Sequence, residues 1–321
     1  EASMISAPSM FRIVDALPEN ARLILLGDKD QLSSVEAGSV MGELCASSHL
    51  DRAVALLTHS RRFDDSSEIG KLANAINAGQ FSACPEGEKV RWHLLSEGTD
   101  WTPAWLDSAV ESCRQQTAAI MPGVKIHTLL QSQSRFQMLC ALREGPQGVN
   151  GINSMIEKAL NQNREDWYIG KPVMIIENDH ERKLYNGDVG LILPVEEDGE
   201  RVSLQLSLDE RFASVALKAC FLSEGVVKAI SRAQMPAYET CYATTIHKSQ
   251  GSEYERVMII LPAEPRQVDD NPVLTRELIY TAVTRARDSM DIWSGENVLE
   301  RMSKKTSVRM SGFRKCSRKC G

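Results

Sequence analysis

The chain has 321 residues, 42% hydrophobic and 25% charged, the balance of a soluble globular protein with core enough for two domains, or two and a small insertion. Its net charge of −6 argues against a protein that coats nucleic acid through bulk charge, though not against one that grips a strand locally in a groove. No apolar run reaches the roughly 18 residues of a membrane span, so no membrane association is expected.

The first residues, Glu1-Ala-Ser-Met-Ile-Ser, have neither a basic nor an apolar leader segment, and no signal peptide is expected. The chain does not start with Met, which suggests a piece of something longer. Arg22-Leu-Ile-Leu-Leu26 is an apolar run stopping at Gly27-Asp28, the pattern of a buried parallel strand with a functional loop at its carboxyl end. Helical patterns follow around Val40–Cys45 and Glu68–Ala78, and further strand-like runs lie at Ala118–Met121, Val257–Leu261 and Met290–Trp293. Strands alternating with helices predict an α/β fold built on a parallel sheet.

One region breaks that rhythm. Lys171-Pro-Val-Met-Ile-Ile176, Asn186-Gly-Asp-Val-Gly-Leu-Ile-Leu193 and Arg201-Val-Ser-Leu-Gln-Leu206 are short strand-like runs with a hairpin signal at Asn186-Gly187, predicting a small all-β insertion over 170–235. Eight cysteines lack the spacing of a secreted disulfide framework and fit a reducing cytoplasm. Cys316 and Cys320, in the basic tail 301–321, have no partner pair of Cys or His nearby and read as free thiols in a disordered end.

Five segments carry chemistry: Glu1-Ala-Ser-Met, Leu26-Gly-Asp-Lys-Asp-Gln-Leu-Ser-Ser-Val35, Leu57-Thr-His-Ser-Arg-Arg-Phe63, Ala243-Thr-Thr-Ile-His-Lys-Ser-Gln-Gly-Ser-Glu253 and Tyr280-Thr-Ala-Val-Thr-Arg-Ala-Arg287. Each alone has an ordinary explanation. A Gly-Asp after a strand is usually a turn. Arginines on a loop or a helix face are usually solvated, and a lone histidine usually makes structural hydrogen bonds. Together, in this order, they supply what phosphoryl transfer from a nucleotide needs: a base (Glu1), a polar sensor of the γ-phosphate (Gln31), and cations for developing charge (Arg62, Arg285). Arginine suits that last role because its planar fork stays charged and binds phosphate oxygens bidentately. Gly251 permits close backbone approach, and Glu253 is placed to accept a ribose hydroxyl.

The same segments, in this order, resemble those of superfamily 1 helicases. Within that superfamily, Leu139-Cys-Ala-Leu-Arg-Glu-Gly-Pro146 and Asn186-Gly-Asp-Val-Gly190 resemble the RecD family, the α subunits of exodeoxyribonuclease V. The resemblance runs from Glu1 to about Trp293 and implies RecA-like P-loop NTPase domains acting with ATP and Mg²⁺. It implies an incomplete first domain over 1–50, a second over 51–169 and 236–300, and an SH3-like insertion over 170–235. Glu1, Gln31, Arg62, Gly251, Glu253 and Arg285 would face nucleotide, with Glu1, Gln31, Arg62 and Arg285 catalytic; Thr58, Asn186, Thr245, His247 and Lys248 would touch DNA. Partners implied are single- or double-stranded DNA ends and homologues of RecB and RecC, with 5′-to-3′ movement in double-strand-break repair and recombination.

The sequence departs from the pattern in two respects, the first being that the Asp leading the family's Asp-Glu-Ala-Ser-Met motif, a metal-holding group, is missing before Glu1. It also contains no Gly-x-x-x-x-Gly-Lys-[Ser/Thr] loop: Gly70-Lys71 and Gly170-Lys171 are followed by Leu and Pro. Most of the Mg²⁺ and phosphate ligands are therefore expected outside this chain, which alone should hydrolyse no ATP. No metal site and no nuclease carboxylate cluster is evident, placing exonuclease chemistry in a partner. The alternatives are a stand-alone RecD-like or relaxase-type helicase, and a non-catalytic module that retains the motor fold only to bind DNA or partners.

Overall fold

The computed structural model describes residues 1–33, 39–57, 64–83, 87–95, 102–160, 166–195, 200–202 and 217–307, excepting the side chains of 102–104. In chain order the first elements are α1 (Ala7–Asp15), α2 (Val40–Cys45), α3 (Glu68–Asn77), β1 (Val90–Leu95), α4 (Thr102–Ala118), α5 (Ile126–Ser132), β2 (Phe136–Cys140) and α6 (Val149–Ala159). Then come β3 (Pro172–Ile175), β4 (Val189–Pro194), β5 (Leu217–Ser223), β6 (Val226–Ser231) and β7 (Tyr238–Thr240). The chain closes with β8 (Ala243–Thr245), β9 (Tyr254–Ile260), α7 (Pro265–Asp270), α8 (Arg276–Val283), β10 (Ala286–Gly295) and α9 (Val298–Lys304).

The alternation of apolar side chains along β9 organises the larger sheet. Val257 and Ile259 point into one core with residues of α3, α8 and α9, while Met258 and Ile260 point into another with residues of α4 and α6. Strands buried on both faces belong to parallel sheets covered by helices. The order here is β1-β10-β9-β2-β8, every pairing parallel. The covering helices carry matching stripes. In α3, Ile69, Leu72, Ala73 and Ile76 are buried, and the helix starts where the Ser67 hydroxyl accepts from the Gly70 amide at 3.1 Å.

Between α6 and β8 the chain forms a second, antiparallel sheet in the order β6-β5-β4-β3-β7. The Asn186-Gly187 turn leads into β4, with Gly187 at φ +98°, a left-handed conformation open to glycine. Only Cys241 and Tyr242 separate β7 from β8, so the two sheets meet at a short joint. Asn153 of α6 binds that joint. Its amide donates to the carbonyls of Thr240 (2.9 Å) and Ala243 (3.1 Å), and its oxygen accepts from the Ala243 amide at 2.8 Å. Beside it the buried Lys171 ammonium lies 3.0 Å from Glu157, whose carboxylate also accepts from the Tyr168 hydroxyl at 2.9 Å.

Several expectations need correction. Residues 22–26 pair with no described strand, and Leu23, Ile24 and Leu26 are exposed. A parallel strand exists only against a neighbour, and every described strand lies in the two sheets above. Ala118–Met121 is not a strand either: Ala118 ends α4, and the Ile120 amide bonds the Thr117 carbonyl at 3.0 Å. Four apolar residues are too few for periodicity to separate a helix end from a strand. The strands that do flank this region, β1 and β2, went unpredicted, β1 because its sequence is half polar. Arg201 and Val202 make only isolated bridges, to Lys125 and Val195, and the rest of that expected strand lies outside the described residues.

The free cysteines at 113, 220 and 241 are buried, and burial pushes each thiol up to about 12, leaving apolar packing as their role. Cys316 and Cys320 lie outside the described residues. Between β1 and β9, buried Asp291 of β10 accepts from Arg91 (2.7 and 3.0 Å) and Arg256 (2.9 and 3.1 Å), with His93 at 3.1 Å. Burial pushes the Asp291 carboxyl up, but these donors outweigh it and hold the group below the usual carboxylate range.

Two outcomes are expected. Asn153→Ala strands the buried Ala243 amide and two carbonyls and lowers stability by about 2 kcal/mol or more in urea unfolding. Because Asp291 is lowered when folded, its contribution is present above the ordinary carboxylate value of 3.8 and is lost as pH falls through the folded value. Unfolding midpoints of wild type and Asp291→Asn therefore differ most near neutral pH and converge in acid.

Candidate functional site

The site forms where three loops meet: the chain start, residues 27–33, and the turn between β8 and β9. Gly27 packs directly on the first loop, since a Cβ there would stand 2.9 Å from the Ser3 amide nitrogen, and the Ala2 amide donates to the Leu26 carbonyl at 2.8 Å. The 27–33 loop is in turn tied to the later half of the chain. Leu32 donates its amide to the Thr281 hydroxyl of α8 at 3.0 Å, and its carbonyl accepts from the Gln250 amide side chain at 2.8 Å.

Arg285 is the centre of this junction. It follows α8 directly, is fully buried, and aims its fork at three surroundings. Nε donates to the Thr281 carbonyl at 3.1 Å, Nη1 to the Ser252 carbonyl at 2.9 Å, and Nη2 to the Gln31 side-chain oxygen at 3.0 Å. The other end of the Gln31 amide donates to Asp28 at 3.0 Å. The Tyr280 phenol lies near Asp28; burial, and after it the charges of Asp28 and Asp30, push it well above its ordinary range. The result is a polar relay from Asp28 through Gln31 to the guanidinium.

Gly251 closes the arrangement on the side of the chain start. At φ +81° it holds a conformation that L side chains rarely adopt, and a Cβ there would lie 3.5 Å from Glu1 Oε2. Glu1, Gln31, Gly251 and Arg285 are thus brought together although they are spread over nearly the whole sequence. Glu253 pairs instead with Arg287. Thr245 ends β8 and His247 and Lys248 lie on the turn after it, where the Thr245 hydroxyl accepts from the Lys248 amide at 3.2 Å. Asn186 sits apart, in the turn of the antiparallel sheet, donating its amide to Asn178 at 2.8 Å. Arg62 and Thr58 lie outside the described residues. The expected set omitted Asp28 and Tyr280, although both stand within the quoted motifs; neighbours of Gln31 and Arg285 in those motifs were the available signal.

A guanidinium, an amide and a carboxylate in one place fit the γ-phosphate end of a nucleotide. They do not supply its cradle. The sequence has no glycine-rich phosphate loop, and among the described residues no group of three or more His, Cys, Asp or Glu could hold a metal.

A family described as an AAA domain matches residues 1–93, and a UvrD-like helicase C-terminal domain matches residues 240–290, which contain the Gly251 turn and Arg285. The RecBCD enzyme subunit RecD of Haemophilus influenzae is 34% identical across 98% of this chain and 53% of its own length. That of Mycolicibacterium smegmatis is 33% identical across 100% of this chain and 54% of its own. A Bacteroides Pif1 helicase structure with ADP-AlF3 and single-stranded DNA aligns over 99% of this chain and 73% of its own, at TM-score 0.45 and 13% identity. The parallel sheet and the two family matches fit an α/β RecA-like helicase fold. Within that class the chain is RecD-like along essentially its whole sequence, and it spans about half the length of the curated relatives it matches.

A double-mutant cycle tests the junction. Gln31→Ala and Arg285→Lys, alone and combined, are expected to give a coupling of about 1 kcal/mol in urea unfolding, within the range for side chains sharing a hydrogen bond. Additive effects would show that the contact does not join the two loops in solution.

Proposed function

We propose that this chain is the strand-moving part of an ATP-dependent 5′-to-3′ DNA helicase subunit of a RecBCD-type helicase–nuclease. It would act on DNA ends in double-strand-break repair and recombination, in the cytoplasm, beside homologues of RecB and RecC. The nuclease chemistry would reside in a partner. The observation that carries the reading is the hydrogen bond from Arg285 to Gln31 at 3.0 Å, which links an early loop to a late helix exactly where a γ-phosphate sensor and a charge-neutralising arginine would have to cooperate.

In this reading ATP, with Mg²⁺, supplies the phosphoryl group whose transfer drives movement. The residues of this chain would do the positioning. The Glu1 carboxylate would accept the proton of an attacking water, with Gly251 leaving room for it at close range. Gln31, held at one end by Asp28, would report the state of the terminal phosphate to Arg285. The Arg285 fork, fixed by the Thr281 and Ser252 carbonyls, would exchange its Gln31 contact for the developing charge. Arg62 would add a second cation. Thr245, His247 and Lys248, on the turn that also carries Gly251, would follow the strand, with Thr58 and Asn186 as outer contacts. The polar crowding around Gly251 has a purpose in this scheme, because one short turn serves nucleotide on one side and strand on the other. The RecD likeness at 33 and 34% identity, higher than the 25% to the Deinococcus radiodurans ATP-dependent RecD2 DNA helicase, favours the multi-subunit setting over a stand-alone enzyme.

Single-stranded-DNA-stimulated ATPase measurements test the motor reading. In a protein extended upstream to include a phosphate loop, Arg285→Lys is expected to lower the rate about 100-fold or more with nucleotide binding little changed. The 321-residue chain alone is expected to show no appreciable rate. Equal rates for the extended wild type and variant, or none in either, would instead favour a non-catalytic module.

A further inference from the structure

A second cluster of charge lies at the carboxyl ends of β2 and β8. These strands pair in parallel with Cys140 opposite Thr245, so residues three positions beyond each are carried to the same edge of the sheet. Those residues are Arg143 and Lys248. Both turn toward one carboxylate, Glu239: Lys248 Nζ lies 2.6 Å from Glu239 Oε1, and Arg143 Nη2 lies 3.2 Å from Glu239 Oε2. Glu239 comes from the other sheet, on β7, and is therefore delivered to this edge by the joint at Cys241-Tyr242.

The place and the charges point to a ligand. Open α/β sheets bind ligands in the crevice beyond the carboxyl ends of their strands. The Arg143 loop is open there, since a Cβ at Gly145 would meet nothing within 4 Å. Two cations converge on one carboxylate, and their donors meet its two oxygens. Glu144, 3.9 Å from Arg143 Nε, is a second and mostly exposed counter-charge that also accepts from the Asn150 amide at 2.8 Å, so Glu239 is the carboxylate that both cations share. A nucleic-acid phosphate presents the same two-oxygen face as the Glu239 carboxylate and would satisfy the same donors.

We propose that Arg143 and Lys248 form a seat for one backbone phosphate of a single strand, and that Glu239 occupies this seat when no strand is present. The proposal rests on the strand-binding reading of the turn after β8 and adds two residues to it, one favourable and one opposed. Glu239 holds the two cations together in the empty protein, then competes with the incoming phosphate through like-charge repulsion. It thereby holds strand affinity below what the two cations would give alone, which suits a protein that must release each phosphate as it moves.

The signs of two substitutions separate this role from a structural ion pair. A structural pair is broken by either change, so both would weaken binding. The seat predicts opposite effects. Fluorescence anisotropy of a labelled oligothymidylate with the full chain, at salt from about 50 to 200 mM, reads them. Arg143→Ala should weaken binding about threefold to tenfold and lower the slope of log affinity against log salt by about one, as loss of one phosphate contact requires. Arg143→Lys should retain most of the affinity. Glu239→Gln should tighten binding about threefold to tenfold, with a melting temperature close to that of wild type. Wild-type binding with both Arg143→Ala and Glu239→Gln weakened, or both unchanged, would overturn the seat alone. Failure of the wild-type chain to bind the oligonucleotide at any of these salt concentrations would overturn the strand-binding reading beneath it.

Discussion

A guanidinium with no exposed surface sets the terms for this molecule. Arg285 is wholly buried, and a buried cation is tolerated only where its donors are met. The Thr281 and Ser252 carbonyls meet two of them from the late part of the chain, and Gln31 meets a third from the early part. These partners come from both halves of the chain, so meeting the needs of the buried charge ties the early loop to the late one. That requirement explains why residues at 27–33 sit against α8, although residues 22–26 just before them join no described strand.

The parallel sheet does for placement what Arg285 does for cohesion. Its strands end together, so the turns after β2 and β8 share one edge, and the register of Cys140 opposite Thr245 decides which side chains face each other there. The antiparallel sheet reaches the same edge because only two residues separate β7 from β8. Asn153 makes that joint stiff by meeting backbone groups on both sides of it. Glu239, Lys248 and Arg143 are consequently a meeting point of both sheets, whereas Glu1, Gln31, Gly251 and Arg285 are a meeting point of the two ends of the sequence.

Particular residues show where sequence reading succeeded and where it stopped. The apolar run 257–261 and the hairpin signal at Asn186-Gly187 were legible because each carries its own periodicity or turn chemistry. Arg22–Leu26 carries an equally good strand pattern and is not a strand, because pairing depends on a neighbour and not on the run itself. Ala118–Met121 failed for the opposite reason: its apolar residues belong to the end of a helix, and so short a stretch has no period to read. β1 stayed hidden because Arg91 and His93 interrupt its apolar character, and their partner, Asp291, lies 200 and 198 residues away. In the site, the roles of Gln31 and Arg285 came from the order of short motifs and from resemblance, not from any local pattern.

From sequence alone follow the class of fold, the presence of a β insertion, the absence of a phosphate loop from these residues, and the types of side chain available for nucleotide and strand. Those are properties of local periodicity, turn chemistry and composition, which each segment carries with it. Only the tertiary structure decided that Gln31 meets Arg285, that Gly251 stands beside Glu1, and that Glu239 is shared by Arg143 and Lys248. Such contacts depend on strand register and on the need of buried charge for partners, and both are settled between segments far apart in the chain.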